Sequence, residues 1–330
     1  MVRTKEYLKA FDLENPSVLA SVLIPAYNAE NTIVDAVQSV LIQTHTNFEL
    51  SVVDDGSQDA TLELLKGIQD SRLRILEFPE NRGLIDALNA GLELCKGKYV
   101  FRLDADDICK PSRIQEQICF LESNPEVGLL GTAFESIDSK GTTTLVRYAS
   151  SHDTIAFKHL YQIHLCHPTV AIRKSVLMEQ NLKYNIEYKH AEDYGLFNQL
   201  LKVTRASNLP SILLTKVNAL QTVSNRYSEI QETNSQRAKM ELFEWLHVKI
   251  TPELLQEYRK LNHQDYTNIT IPAIKLGKML LQLIRGNKKR GFMEHRFLVN
   301  EIRRLWFHLC LNKRKPLAYL AIEIQIRWNF

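Results

Sequence analysis

SVLIPAYNAENTIVDAVQSVLIQTHTNFELSVVDDGS, from Ser21 to Ser57, reads as strand, helix, strand. The β-rich apolar runs Ser21 to Pro25 and Phe48 to Val53 flank Asn31 to Gln43, where apolar residues recur with the helical period. The alternation continues with a helix at Ala60 to Gln69, a strand at Leu73 to Phe78, a helix at Leu84 to Cys95 and a strand at Tyr99 to Leu103. Repeated βαβ units force parallel strands with helices on both faces, and ligands of such folds gather at the carboxyl ends of the strands. Pro25, Tyr27, Asn28, Asp54, Asp55, Asp104 and Asp106 all fall at those ends.

After Pro111 the alternation loosens. A helix at Ser112 to Ser123, a strand near Val127 to Gly131, a hairpin centred on Gly141 and a helix about His152 to Tyr161 precede HPTVAIRKSVL, His167 to Leu177. From about Gln236 onward the apolar positions favour helix, most strongly at Lys239 to His247 and Val299 to Leu311, with a shift in composition near Thr267 to Pro272. The expected organisation is an α/β domain over residues 1–230, with a mostly parallel central sheet, and a helical, basic region over residues 231–330.

A chain of 330 residues with 45% hydrophobic content can bury one large core or two modest ones. Its net charge of +3 hides an asymmetry: residues 271–330 hold 13 Lys or Arg against 3 Asp or Glu, leaving 28 against 35 in the rest. An acidic body with a basic tail asks for a partner or a surface. Five scattered cysteines without CxxC spacing indicate reduced thiols, which suits a cytoplasmic setting. The first 17 residues lack the apolar core of a signal peptide, and no run approaches the roughly 20 apolar residues of a membrane span.

Two acidic strings carry the chemistry. In FRLDADD (Phe101 to Asp107) the acids directly follow an apolar strand. They are either solvated turn residues or ligands, with Asp104 taking ribose hydroxyls and Asp106 binding Mn²⁺ or Mg²⁺. Asp107 either assists or caps the segment before Pro111. In VVDDGS (Val52 to Ser57) the pair Asp54 and Asp55 is good capping chemistry before a helix, and equally an acceptor for the imide N–H of a uracil ring. Glu192 and Asp193, in HAEDYGLF, are a helix start or a source of the third carboxylate.

The ordered series SVLIPAYNAENTI, VVDDGSQDAT, ENRGLIDALNAGLELCKGKYVFRLDADD, PSRIQEQICFL, HPTVAIRKSVL and HAEDYGLF resembles the inverting family 2 glycosyltransferases, which have the GT-A fold, over about residues 20–225. The resemblance implies a Rossmann-like nucleotide-sugar-binding domain that transfers a sugar, most simply from a UDP-sugar, to a hydroxyl of a glycan or lipid-linked acceptor in cell-surface polysaccharide synthesis. It implies that Pro25, Tyr27 and Asp55 line the nucleobase pocket with Asn28 beside them, and that Arg82 contacts the phosphates. Asp104 and Asp106 become the metal and ribose motif, Asp193 the general base and Glu192 its support, since single displacement needs the acceptor hydroxyl deprotonated.

The resemblance breaks at one place. Relatives often carry Tyr-Arg-x-His after the base, whereas this chain reads LTKVNALQTVS, with Lys216 and Asn218 in the Arg and His positions. Asn218 can offer an amide oxygen and Lys216 a charge. His167, before a proline in an apolar run, is either a replacement ligand or a structural hydrogen-bonding residue.

In the tail, Met279, Leu280, Leu283 and Ile284, then KKRGF (Lys288 to Phe292) and IRRLWFHL (Ile302 to Leu309), mix apolar stripes with positive charge. Packing explains the stripes, and attachment to an anionic bilayer explains the charge. The expectation is a peripheral enzyme on the inner face of the cell membrane, with a nucleotide-sugar and a glycan or lipid-linked acceptor as partners and no nucleic acid. Two other classes are a sugar-1-phosphate nucleotidyltransferase, weakened by the absence of glycine in PAYNAEN, and a non-catalytic binding protein using the basic tail. A dinucleotide oxidoreductase is disfavoured because no GxGxxG follows the first strand.

Overall fold

The computed structural model describes residues 19–217 and 228–313, and divides into two compact units. Of the described residues, one comprises 19–151, 165–217 and 228–231, the other 152–164 and 232–313.

In the first unit, β1 (Ala20–Ala26), β2 (Phe48–Asp54), β3 (Leu73–Glu77) and β4 (Tyr99–Arg102) lie parallel in the order β3-β2-β1-β4. All residues of β1 and β2 are buried, which explains their continuous rather than alternating apolar sequences. The crossovers are α1 (Ile33–Leu41), α2 (Thr61–Gly67) and α3 (Leu84–Leu94). Helix α1 buries Ile33, Ala36, Val37 and Val40, the stripe its period announces.

Beyond β4 the sheet is mixed. A short strand β5 (Asp107–Cys109) and helix α4 (Arg113–Ser123) follow, then β6 (Val127–Ile137) and β7 (Thr143–Val146), which form the hairpin around Gly141. Strand β8 (Ala171–Arg173) runs antiparallel between β4 and β6. Strand β9 (Arg205–Val217) runs parallel to β6 and antiparallel to β5, closing the order β3-β2-β1-β4-β8-β6-β9-β5 with β7 off β6. The parallel half is thus the part the βαβ pattern covers. A helix α6 (Lys174–Glu179), a 3₁₀ turn at Ile186–Tyr188 and a helix α7 (Glu192–Val203) lead from β8 to β9.

Register brings the functional rim together. Ala26 pairs with Asp54 and Leu23 with Arg102, so β1, β2 and β4 release their next residues at one edge. Behind that edge, buried Arg113 donates to the Arg102 carbonyl (2.8 Å), while Gln117 donates to the carbonyls of Leu130 and Thr169 (3.0 Å each). These bonds fasten β4, β6 and the 3₁₀ turn His167–Thr169 to one helix.

The second unit is helical: α5 (His152–His159), α8 (Ser228–Trp245) from Glu232 onward, α9 (Pro252–Asn262), α10 (Ala273–Arg290) and α11 (His295–Asn312). Thr251 caps α9, its hydroxyl accepting from Leu254 N, with Pro252 in the first turn. Met279, Leu280, Leu283, Ile284, Ile302, Leu305, Trp306 and Leu309 are all buried. The apolar stripes of the tail therefore belong to this unit's own core. Among the described residues no helix is long and apolar enough to cross a membrane.

Candidate active site

The exits of β1 and β2 are stapled to each other. Asp55 N–H extends the ladder to the Ala26 carbonyl (2.8 Å), Asn28 N–H donates to Ser57 Oγ (3.0 Å), and Gln58 N–H donates to Asn28 Oδ1 (2.8 Å). Asn28, at φ 50°, thus spends its side-chain oxygen on the neighbouring turn. Asp54 caps that turn by accepting from Ser57 N–H (3.2 Å) and its hydroxyl. Gly56 sits at φ 69°, and a Cβ there would lie 2.4 Å from the Glu80 carbonyl carbon, so glycine alone fits.

Asp55 is buried and grips the loop after β3. Its carboxylate accepts from Arg82 N–H (2.7 Å), Gly83 N–H (2.9 Å) and Asn81 Nδ2 (3.0 Å). Burial raises its pKa even against the two backbone donors. Pro25 lies buried within β1, while Tyr27 just beyond it is 46% exposed, presenting its ring at the rim. Arg82 lays its guanidinium 4.5 Å from the Phe78 ring centroid, with Asp86 3.3 Å away.

One strand over, Asp104, Asp106 and Asp107 each bring a carboxylate oxygen within 4.8 Å of the others. Arg102, itself buried, pairs with Asp104. Lys216 Nζ stands 3.5 Å from Asp104 Oδ2 and 3.7 Å from Asp107 Oδ2. The two basic groups oppose the burial of Asp104 and hold its carboxyl well below the usual range. Asp107 responds the other way: burial first, then the charge of Asp104, pushes it up to about 8. Asp106 is raised for the same two reasons.

Asp107 tests whether this cluster suits a cation. It is fully buried, and neither carboxylate oxygen accepts a hydrogen bond; Arg102 Nε and Nη1 are likewise buried without an acceptor. Orphaned oxygens of that kind are costly unless a ligand completes them. Three converging carboxylates match the hard-oxygen preference of Mg²⁺ or Mn²⁺. Asp104, Asp106 and Asp107 are therefore the residues that fit a divalent ion, and Asp107 belongs to the cluster rather than merely capping the next segment.

Glu192 and Asp193 open α7, where the helix N-terminus favours negative charge, and Asp193 Oδ1 accepts from Tyr194 N–H (2.6 Å). Burial and then the neighbouring Asp193 push Glu192 up to about 7, and burial raises Asp193. Arg102 lowers and Asp104 raises both, so the two acidic groups share one electrostatic environment. Asp55 follows β2, which β1 separates from β4 in the sheet.

His167 is buried beside the cluster, bonded through Nε2 to the Tyr184 hydroxyl (2.8 Å) and packed edge-on to Phe197. Burial, then Arg102, holds its pKa well below the ordinary value, and it takes no part in the carboxylate cluster. The structural reading of this histidine holds. Asn218 lies outside the described residues. Beside Tyr184 a cavity of about 470 Å³ opens between α3 and α7, lined among others by Asp86, Asn89, Tyr188 and Gln199. Sequence reasoning missed the pairing of Asp107 with Lys216. It rests on β5, a strand of three residues too short to show a period.

Comparison with known proteins agrees with this fold. A family model, Glycosyl transferase family 2, matches residues 21–180. An uncharacterised glycosyltransferase of Haemophilus influenzae is 33% identical over 235 residues, 68% of this chain and 72% of the relative. The amylovoran biosynthesis glycosyltransferase AmsE of Erwinia amylovora is 33% identical over 202 residues, 59% and 74% of the two chains. The crystal structure of S. aureus TarS 1–349 in complex with UDP-GlcNAc superposes with a TM-score of 0.59 at 18% identity, covering 94% of this chain and 92% of that one. The shared fold is GT-A.

Proposed function

This chain belongs to glycosyltransferase family 2, and from that premise we propose a metal-dependent, inverting transfer of a sugar from a UDP-sugar to a hydroxyl of a glycan or lipid-linked acceptor in cell-surface polysaccharide synthesis. The observation that carries it is the division of labour among the acids. Asp104, Asp106 and Asp107 form one cluster, and Glu192 with Asp193 stand apart from it in the same electrostatic field. The UDP-GlcNAc complex of TarS supports the donor class, and the biosynthetic role in AmsE's name supports a glycan acceptor.

In this reading Tyr27 packs on the uracil ring against Pro25, and Asp55, still able to accept with its remaining lone pairs, takes the imide N–H. Asp55 also sets Arg82 through its backbone, which keeps the exposed guanidinium near the phosphates. Asp104 takes ribose hydroxyls as well as the cation. When bound, a divalent ion on Asp104, Asp106 and Asp107 neutralises charge on the departing diphosphate. Asp193 removes the proton of the acceptor hydroxyl as its oxygen bonds to the anomeric carbon, and the bond from that carbon to the diphosphate breaks on the opposite face. Glu192, raised to about 7 and so about half protonated near neutrality, supports the base in this reading.

The test is calorimetric titration with UDP and Mn²⁺ on the parent, Asp106→Ala and Asp55→Ala. Loss of metal-dependent binding in the first variant and of nucleotide affinity in the second is expected. Unchanged binding in both removes the site.

Attachment to an anionic bilayer is proposed through α10. Exposed Lys275, Lys278, Arg285 and Lys289 share one side of that helix by their 3.6-residue spacing, and each contributes on the order of 1 kcal/mol near anionic lipid. Flotation with vesicles of phosphatidylglycerol, but not of phosphatidylcholine, is the expected result, lost when the four are changed to Glu. Flotation with neither lipid rejects the attachment.

A further inference from the structure

Lys216 brings its ammonium within 4 Å of two carboxylates of the cluster, those of Asp104 and Asp107. Strand register puts it there: Asp107 on β5 pairs directly with Lys216 on β9. Cross-strand partners of opposite charge attract, and this pair is held at the end of a long strand fixed by its parallel pairing to β6. The ammonium is nevertheless shared, 3.5 Å from one carboxylate and 3.7 Å from the other, instead of locked in a short bond to either. Its side chain is 30% exposed, so the flexible four-carbon stem can swing away without opening the core. Arg102 is different, buried and pinned on Asp104.

We propose that Lys216 is the resident counter-ion of the three-carboxylate cluster: its ammonium holds Asp104 and Asp107 in the free protein, and transfers to the phosphates of a nucleoside diphosphate when that ligand enters with a divalent cation. The inference rests on the cluster being the metal site proposed above. A divalent ion bound at roughly 2 Å from Asp104 Oδ2 could stand no more than about 6 Å from Nζ where it now lies, so like charges would crowd together. A diphosphate relieves the crowding by accepting the ammonium. Metal and nucleotide must then bind cooperatively, each strengthening the other by the same factor, and Lys216 is the residue that links them. No bond is made or broken in this exchange; the ammonium changes partners.

The experiment measures Mn²⁺ binding directly, by the electron paramagnetic resonance signal of the free ion, with and without UDP. The full-length parent is compared with Lys216→Met, Lys216→Gln and Lys216→Arg, with thermal melts to check folding. Without UDP, the Met and Gln variants are expected to bind Mn²⁺ about tenfold tighter than the parent, and the gain from adding UDP to shrink by a similar factor, within the usual range of coupling between sites. The Arg variant, which keeps the charge, is expected to stay within about threefold of the parent, below that range. A folded Met or Gln variant that binds Mn²⁺ no better than the parent, while the parent binds Mn²⁺ with UDP, overturns the role of Lys216 and leaves the metal site standing. Absence of Mn²⁺ binding in every form, with or without UDP, overturns both.

Discussion

Asn89 on α3 holds the main chain of Tyr184 from both sides, its Nδ2 donating to the Tyr184 carbonyl and its Oδ1 accepting the Tyr184 N–H, each at 2.9 Å. Tyr184 in turn meets His167 through its hydroxyl, beside the acid cluster. Asn89→Ala leaves two backbone groups without partners, so a loss of about 1–3 kcal/mol is expected in urea unfolding. The rate of transfer is expected to fall further than UDP affinity does, because the wall beside Glu192 and Asp193 loosens while the nucleotide loops are untouched. Equal loss in both would place the damage elsewhere.

Asp193→Asn keeps the size and the bond to Tyr194 N–H but cannot take a proton. Transfer is expected to drop by about 10²–10⁴, the usual contribution of a general base, with UDP affinity unchanged by calorimetry. Glu192→Gln is expected to cost less. The reverse order would exchange their roles.

Glu192 makes stability depend on pH. Its carboxyl is raised from an ordinary 4.5 to about 7 by burial and by Asp193, so in that window the folded chain binds more protons than the unfolded one. Stability contributed by the protonated carboxyl is therefore complete at low pH and declines as pH rises through about 7. Denaturant titrations at a series of pH values are expected to show a shallower decline for Glu192→Gln than for the parent. Parallel curves would mean that this carboxyl ionises normally.

Glycines separate packing from mere flexibility. A Cβ on Gly286 of α10 would lie 1.7 Å from the Leu246 carbonyl oxygen, a backbone atom that cannot step aside cheaply. Gly286→Ala is expected to destabilise the helical unit by about 1–3 kcal/mol or more. Gly67, at the end of α2, meets nothing within 4 Å, and Gly67→Ala is expected to be neutral or slightly stabilising. Thermal unfolding of the two variants decides both.

The parallel half of the sheet was legible because β1, β2 and β4 are buried runs separated by helices of clear period. Asp104 and Asp106 were legible for the same reason, since acids directly after a buried strand stand out. Asn28 has a local bond that a polar residue at a strand exit does not advertise, its oxygen serving the Gln58 N–H. Asp107 and Lys216 were under-read, because what joins them is a register between strands far apart in the chain. The tail's stripes read as packing, and Leu283, Ile302 and Trp306 are buried accordingly.

Among the described residues strand β5 pairs with β9 and with no other strand. The residue that balances the acid cluster therefore arrives 112 positions after Asp104, late in synthesis and across a costly chain closure. A fragment ending before Arg205 would retain every strand of the nucleotide rim yet leave three crowded carboxylates with Arg102 alone. Trimming the enzyme to a minimal donor-binding module, or grafting its first four strands onto another scaffold, must carry β9 along.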